Sequence, residues 1–182
     1  MTPDPRLRAK TIALVGLMGV GKSSIGRRLA LALDMPFRDA DTEVENAAGQ
    51  SIADIFAAYG EPVFREGERK VIARLLDEGP HVLATGGGAF VNDETRALIR
   101  ERAISVWLKA DLELLARRVG RKDTRPLLRG KDPLEVLKAQ AEARYPHYEQ
   151  ADIVVLTGDT PHFEAVDAVL EALNRHLIGA ES

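Results

Sequence analysis

The chain contains no cysteine. Disulfides, thiolate metal sites and a cysteine nucleophile are therefore excluded, and the absence agrees with a reducing compartment. No apolar run approaches the ~20 residues a membrane span needs. The best candidate, Thr11 to Val20, is interrupted by Gly16 and Gly19 and ends in Gly21-Lys22. Residues 1–10 hold two prolines, three basic residues and no apolar block, so they do not read as a secretory signal. Charge of one sign is not in excess either. Lys and Arg number 25 against 28 Asp and Glu, a formal net charge of −3. Such a balance exerts no global pull on nucleic acid or anionic lipid, so any anionic partner must be held by local positive charge. The four histidines (His81, His147, His162, His176) lack metal-ligand spacing and read as structural or exposed. Repeats, low-complexity tracts and linkers are absent as well. A cytoplasmic protein is expected, with no nucleic-acid or membrane partner.

What is present is an ordinary globular composition, 45% hydrophobic and 29% charged, over 182 residues. That length suits a single domain spanning 1–182. Short solid apolar runs alternate with helix-periodic segments. Strands are expected at Thr11 to Val15, Phe37 to Ala40, His81 to Thr85, Ala103 to Leu108 and Ile153 to Leu156. Helices are expected at Lys22 to Leu33, Asp41 to Ala48, Ser51 to Tyr59, Glu61 to Glu78, Asn92 to about Arg100, Asp111 to Val119, Pro133 to about Tyr148, and from Pro161 onward. Solid rather than alternating apolar strands indicate a parallel sheet covered on both faces, hence an α/β fold.

Gly16, Gly21, Lys22 and Ser23 fill the pattern G-x-x-x-x-G-K-[ST] between a buried strand and a helix. Backbone N–H groups of such a loop curl around phosphate oxygens, and the helix N-terminus adds a positive dipole end. Lys22 would reach the β- and γ-phosphates, and the Ser23 hydroxyl would ligate Mg²⁺. A glycine-rich turn with an exposed lysine is the plain alternative. The loop implies a nucleoside triphosphate and leaves the second substrate open.

Asp39 and Asp41 follow the second strand, at the end where ligands of open parallel sheets bind. With period two they would share a side. One could serve Mg²⁺, while the other accepts a substrate hydroxyl's hydrogen bond and proton. Equally, Asp41 could cap the next helix and Asp39 stand in solvent. Arg65 has Glu61 one turn before it and Glu68 after it, either as surface ion pairs or as groups aiming its guanidinium at a carboxylate. Gly86-Gly87-Gly88 suits a close approach of ligand to backbone, or a tight turn. Between Arg117 and Lys131 seven basic residues accompany one acid, Asp123. A lid over phosphates at about 120–132 explains that density better than nucleic acid, because no aromatic interleaves it. Arg144 is a solvated residue or a second anion clamp.

These residues together resemble the shikimate kinase family, over nearly the whole chain. Beyond the phosphate loop, the resemblance rests on Phe37-Arg38-Asp39-Ala40-Asp41, Ser51-Ile52-Ala53-Asp54-Ile55-Phe56, and Gly60, Glu61, Phe64, Arg65 and Glu68. The glycine triplet, Arg125-Pro126-Leu127-Leu128, and Arg144, Pro146 and Tyr148 follow in order. The resemblance implies a P-loop, nucleoside-monophosphate-kinase-like fold, with a five-stranded parallel sheet of order 2-3-1-4-5 and helices on both faces. It implies MgATP-dependent phosphorylation of the shikimate 3-hydroxyl in aromatic amino-acid biosynthesis, by a monomer. Lys22, Asp41 and Arg125 would be catalytic, and Ser23 and Asp39 would organise Mg²⁺. ATP would meet Gly19, Val20, Gly21, Lys22, Ser23, Ser24, Arg118, Arg125 and Pro161. Shikimate would meet Asp41, Arg65, Gly86, Gly87, Gly88 and Arg144, with substrate-binding helices at about 41–69. A kinase of gluconate or of a nucleoside monophosphate is the nearest rival. A nucleotide-hydrolysing regulator is more remote, since no N-K-x-D motif is present.

Overall fold

The structure, a computed structural model, describes residues 2–121 and 130–181. Its centre is a parallel sheet of β1 (Thr11–Val15), β2 (Phe37–Asp39), β3 (Val82–Ala84), β4 (Ala103–Lys109) and β5 (Ile153–Leu156). The strand order is β2-β3-β1-β4-β5 and every pairing is parallel. All residues of β1 and β3 are buried, and so are all of β4 but Lys109. Strands with no polar face require cover on both sides, which is why the solid apolar runs point to this architecture. Both edge strands, β2 and β5, carry exposed residues.

The connecting helices are α1 (Lys22–Leu33), α2 (Ala40–Ala48), α3 (Ile52–Tyr59), α4 (Glu61–Asp77), α5 (Asp93–Arg102), α6 (Leu112–Gly120), α7 (Pro133–Tyr148) and α8 (His162–Ala180). Helix α1 packs on β2, β3 and α8, while α5 packs on β4 and α4. Leu14, Leu29, Leu33 and Leu75 are fully buried among these elements. Each contributes about 1.5–3 kcal/mol through its removal from water.

Local chemistry sets the helix starts. Ser51 Oγ accepts from Asp54 N at 3.1 Å, Asn92 Oδ1 from Thr95 N at 3.0 Å, and Asp111 Oδ1 from Glu113 N at 3.1 Å. Side chains of this kind satisfy otherwise orphaned N–H groups, at about 1 kcal/mol each. Most boundaries lie within a residue or two of the sequence expectation, and the one that bears on the site is the end of β2. Strand β2 stops at Asp39, and Ala40 is already helical because the Asp39 carboxylate caps α2, accepting from Asp41 N at 3.0 Å and Thr42 N at 3.3 Å. Asp41 therefore sits in the first turn of a helix, and strand periodicity does not relate it to Asp39. A short 3-10 turn at Pro5–Ala9, unanticipated from the sequence, buries Leu7 completely.

Candidate active site

A cleft of about 930 Å³ opens beyond the carboxyl ends of β1, β2 and β3. Ligands of open parallel sheets bind at this end. The loop from β1 to α1 forms its floor. Gly19 and Gly21 there have φ of +83° and +99°, a region that L side chains avoid, so the turn depends on glycine. Ile25 N donates to Gly21 O at 2.8 Å, starting α1 immediately after the loop. Lys22 Nζ folds back over the loop and donates to Gly16 O at 2.7 Å and Leu17 O at 3.1 Å. Gly19, Gly21, Lys22, Ser23 and Ser24 all line the cleft. Val20 does not: its side chain is buried, which leaves only its backbone for a ligand.

Ser23 Oγ donates to Asp39 Oδ2 at 2.5 Å. A hydroxyl and a carboxylate side by side at the head of a phosphate loop match the hard oxygen ligands of Mg²⁺, which keeps few protein ligands and takes the rest from phosphate and water. No cluster of three or more His, Cys, Asp or Glu with metal-holding geometry occurs among the described residues. The fit to Mg²⁺ therefore rests on the Ser23–Asp39 pair.

At the far end of the loop Arg118, on α6, donates from Nη1 to Gly19 O and from Nη2 to Gly158 O, both at 3.1 Å. It thereby ties the phosphate loop to the segment that follows β5. Pro161 is the residue before α8, and its side chain is exposed. Its neighbours Asp159, Thr160 and His162 line the cleft instead. The His162 ring carbon Cε1 would lie 3.8 Å from a Cβ placed on Gly21. Desolvation, then Arg28 and Arg118, push its imidazole pKa below the usual value, favouring the neutral ring. The sequence offered no signal for His162 beyond its place after Pro161.

The opposite end gathers charged side chains from three helices around the segment that follows β3. Arg65, on α4, is held by Glu61 Oε1 at 3.3 Å and Glu68 Oε1 at 3.0 Å, and lies over the Phe64 ring at 5.1 Å. Asp41 comes from α2 and Arg144 from α7. The segment Gly86 to Gly88 follows β3. A Cβ on Gly86 would fall 2.7 Å from Glu68 Oε2 and 3.0 Å from Asp41 Oδ1. One on Gly87 would lie 2.9 Å from Arg144 Nη1, and one on Gly88 only 2.6 Å from the Arg65 guanidinium carbon. None of the three needs a positive φ. The triplet is explained by crowding: each missing side chain makes room for a charged group from another element. Phe56 and Phe64, with ring centres 5.0 Å apart, wall this end. Phe56 belongs to the S-I-x-D-I-F stretch, whose part in the cleft spacing alone did not disclose. Arg125 lies outside the described residues, as does most of the expected lid.

Glu68 is only 3% exposed, and its Oε2 has no hydrogen-bond partner among the described residues. Burial pushes its carboxyl pKa up, with Asp41 adding to the rise and Arg65 and Arg144 opposing it. A raised folded-state pKa favours folding fully below the ordinary 4.5 and loses that contribution as pH climbs through the folded value. The stability advantage of the protein over a Glu68→Gln variant should therefore shrink as pH rises from about 4.5. Melting temperatures of both proteins across that range check this. An advantage that grew with pH would mean that Arg65 outweighs burial.

The profile of the family described as shikimate kinase matches residues 18–174. The shikimate kinase of Caulobacter vibrioides (strain NA1000 / CB15N) is 74% identical over 169 residues, 93% of this chain and 84% of its own length. The chain belongs to the shikimate kinase family. The shikimate kinase of Bradyrhizobium diazoefficiens is 52% identical over 176 residues, 97% of this chain and 85% of its own. Among solved structures, Acinetobacter baumannii shikimate kinase in complex with shikimate superposes with a TM-score of 0.90 at 33% identity. It covers 94% of this chain and 98% of its own. Shikimate kinases are ATP-dependent phosphotransferases with an alcohol as acceptor. That activity accounts for a cleft with a phosphate loop at one end and a second, cationic end beside an acid.

Proposed function

We propose that the protein transfers the γ-phosphoryl group of ATP to the 3-hydroxyl of shikimate, yielding shikimate 3-phosphate and ADP for aromatic amino-acid biosynthesis. The observation that carries this is the meeting of Asp41, Arg65 and Arg144 around three glycines, in the cleft that holds the phosphate loop. Two guanidinium groups suit a carboxylate, and an acid beside backbone that lines the cleft suits ring hydroxyls. A small carboxylated polyol fits that set. Gluconate shares the chemistry in outline, and a nucleoside monophosphate would want a base pocket instead.

In this reading Arg65 and Arg144 hold the shikimate carboxylate, and Gly86 to Gly88 hold the ring from the backbone side. Asp41 orients the 3-hydroxyl and takes its proton as the oxygen attacks the γ-phosphorus and the bond to ADP breaks. Lys22 and Arg125 neutralise charge on the transferring group, while the loop from Gly19 to Ser24 cradles the remaining phosphates. Ser23 and Asp39 would hold Mg²⁺ with phosphate oxygens, and the ion would add further neutralisation. Arg118 and the turn at Pro161 take the adenine. Residues 1–182 would form one kinase domain acting as a cytoplasmic monomer, with a lid at about 120–132. No helix among the described residues is long and apolar enough to cross a membrane.

A coupled assay tests the reading. ADP should form rapidly from MgATP only when shikimate is added. Turnover independent of shikimate, or faster with gluconate or a nucleoside monophosphate, would overturn it.

A further inference from the structure

Tyr148 takes no part in the chemistry above, yet its hydroxyl donates to the carbonyl oxygen of Gly87, the middle residue of the triplet. The ring is 1% exposed, and burial pushes the phenol pKa up to about 12, so it remains a donor at any working pH. Arg144 stands one helical turn before it on the same face of α7, its guanidinium facing the phenol and filling the space that Gly87 leaves. The last turn of α7 thus meets the triplet twice, once through a charge and once through a neutral hydrogen bond.

The ring is itself tightly held. Trp107 on β4 lies 5.0 Å edge-on from Tyr145 and 5.7 Å from Tyr148, and the two tyrosine rings are 6.2 Å apart. Pro146 lies inside this turn and lacks the N–H of a helical rung, so aromatic packing against β4 replaces part of the helix's own support. A phenol fixed in this way has one place to aim. Because the peptide is planar and trans, fixing the Gly87 carbonyl also fixes the Gly88 N–H, which points the opposite way, away from the buried ring. The N–H groups of Gly86, Gly87 and Gly88 have no acceptor among the described residues.

We infer that Tyr148 is a positioning residue for the phosphoryl acceptor: by holding the Gly87 carbonyl it sets the peptide that presents backbone N–H groups to the substrate, in register with Arg65 and Arg144. This rests on the acceptor site proposed above. The competing role is packing alone, and Tyr148→Phe separates the two because it keeps the ring and removes only the donor.

Shikimate and MgATP affinities are read separately, through steady-state kinetics and through the fluorescence of Trp107, the single tryptophan of the chain. Tyr148→Phe should lower kcat/KM for shikimate ~5–20-fold, because a mis-set peptide costs both binding and alignment, while KM for ATP stays within about twofold. If shikimate kinetics are unchanged, whatever the melting temperature does, the hydroxyl positions nothing and the inference is overturned. Proportionate loss of both affinities overturns it too. Arg144→Ala is the control. If Arg144→Ala weakens shikimate binding and Tyr148→Phe does not, only the role of Tyr148 falls. If neither does, the acceptor site itself is misplaced and the inference falls with it.

Discussion

Lys22→Met should lower kcat by ~10²–10³-fold while leaving shikimate binding intact, the size of loss seen when one preorganised donor is removed from developing charge. Methionine keeps the stem and its packing but deletes the ammonium. That ammonium is anchored over the loop by the Gly16 and Leu17 carbonyls, in the cleft that Ser23 and Asp39 also line. It therefore needs little reorganisation to act on a phosphoryl group in flight. Single-turnover rates with saturating MgATP and shikimate would isolate this step. A kcat within threefold of the parent would show that the charge is supplied from elsewhere.

The second large effect belongs to the arginine pair. Losing a charge-assisted bond worth roughly 1.5–3 kcal/mol should weaken shikimate binding ~10–150-fold in both Arg65→Ala and Arg144→Ala, with ATP affinity little changed. The two variants should differ in stability. Arg65 neutralises Glu68, whose side chain is 4% exposed, so removing the arginine strands a buried carboxylate. Arg144 meets Gln140 at 3.4 Å and the Tyr148 phenol, both neutral, whereas the close ion pair to Glu68 comes from Arg65. Arg65→Ala should thus melt at a distinctly lower temperature, and Arg144→Ala close to the parent. Collapse of ATP binding with shikimate binding intact would show that the arginines serve the other substrate.

The sheet was legible in the sequence because the inner strands are short and almost wholly apolar, and glycine, asparagine or aspartate marks most element boundaries. The slip at Ala40 shows the limit of that method. Asp39 reads as the last residue of a strand, but its carboxylate can cap a helix, and local hydrogen bonding overrides a period-two pattern three residues long. The phosphate loop is a contiguous signal and was plain. Asp41, Arg65 and Arg144 were ambiguous as isolated residues, since each is a surface charge until other elements surround it, and only the family resemblance singled them out. His162 and Phe56 reach the cleft through the path of the chain in three dimensions, for which spacing carries no sign. The triplet suits a close approach of ligand or a tight turn by its sequence alone; that each glycine also makes room for one of the protein's own charges is visible only in three dimensions.

That last point bears on how such a pocket can change. Each of the three glycines is matched to a charged side chain of α4 or α7, so a methyl group at any one of them is answered far away in the sequence. Random single substitutions here would displace a guanidinium or a carboxylate rather than merely narrow the pocket. Redesign toward another acceptor would have to alter a glycine and its distant counterpart together. Libraries that vary residues 86–88 alone should return mostly inactive clones, and productive ones should carry paired changes at 65, 68 or 144.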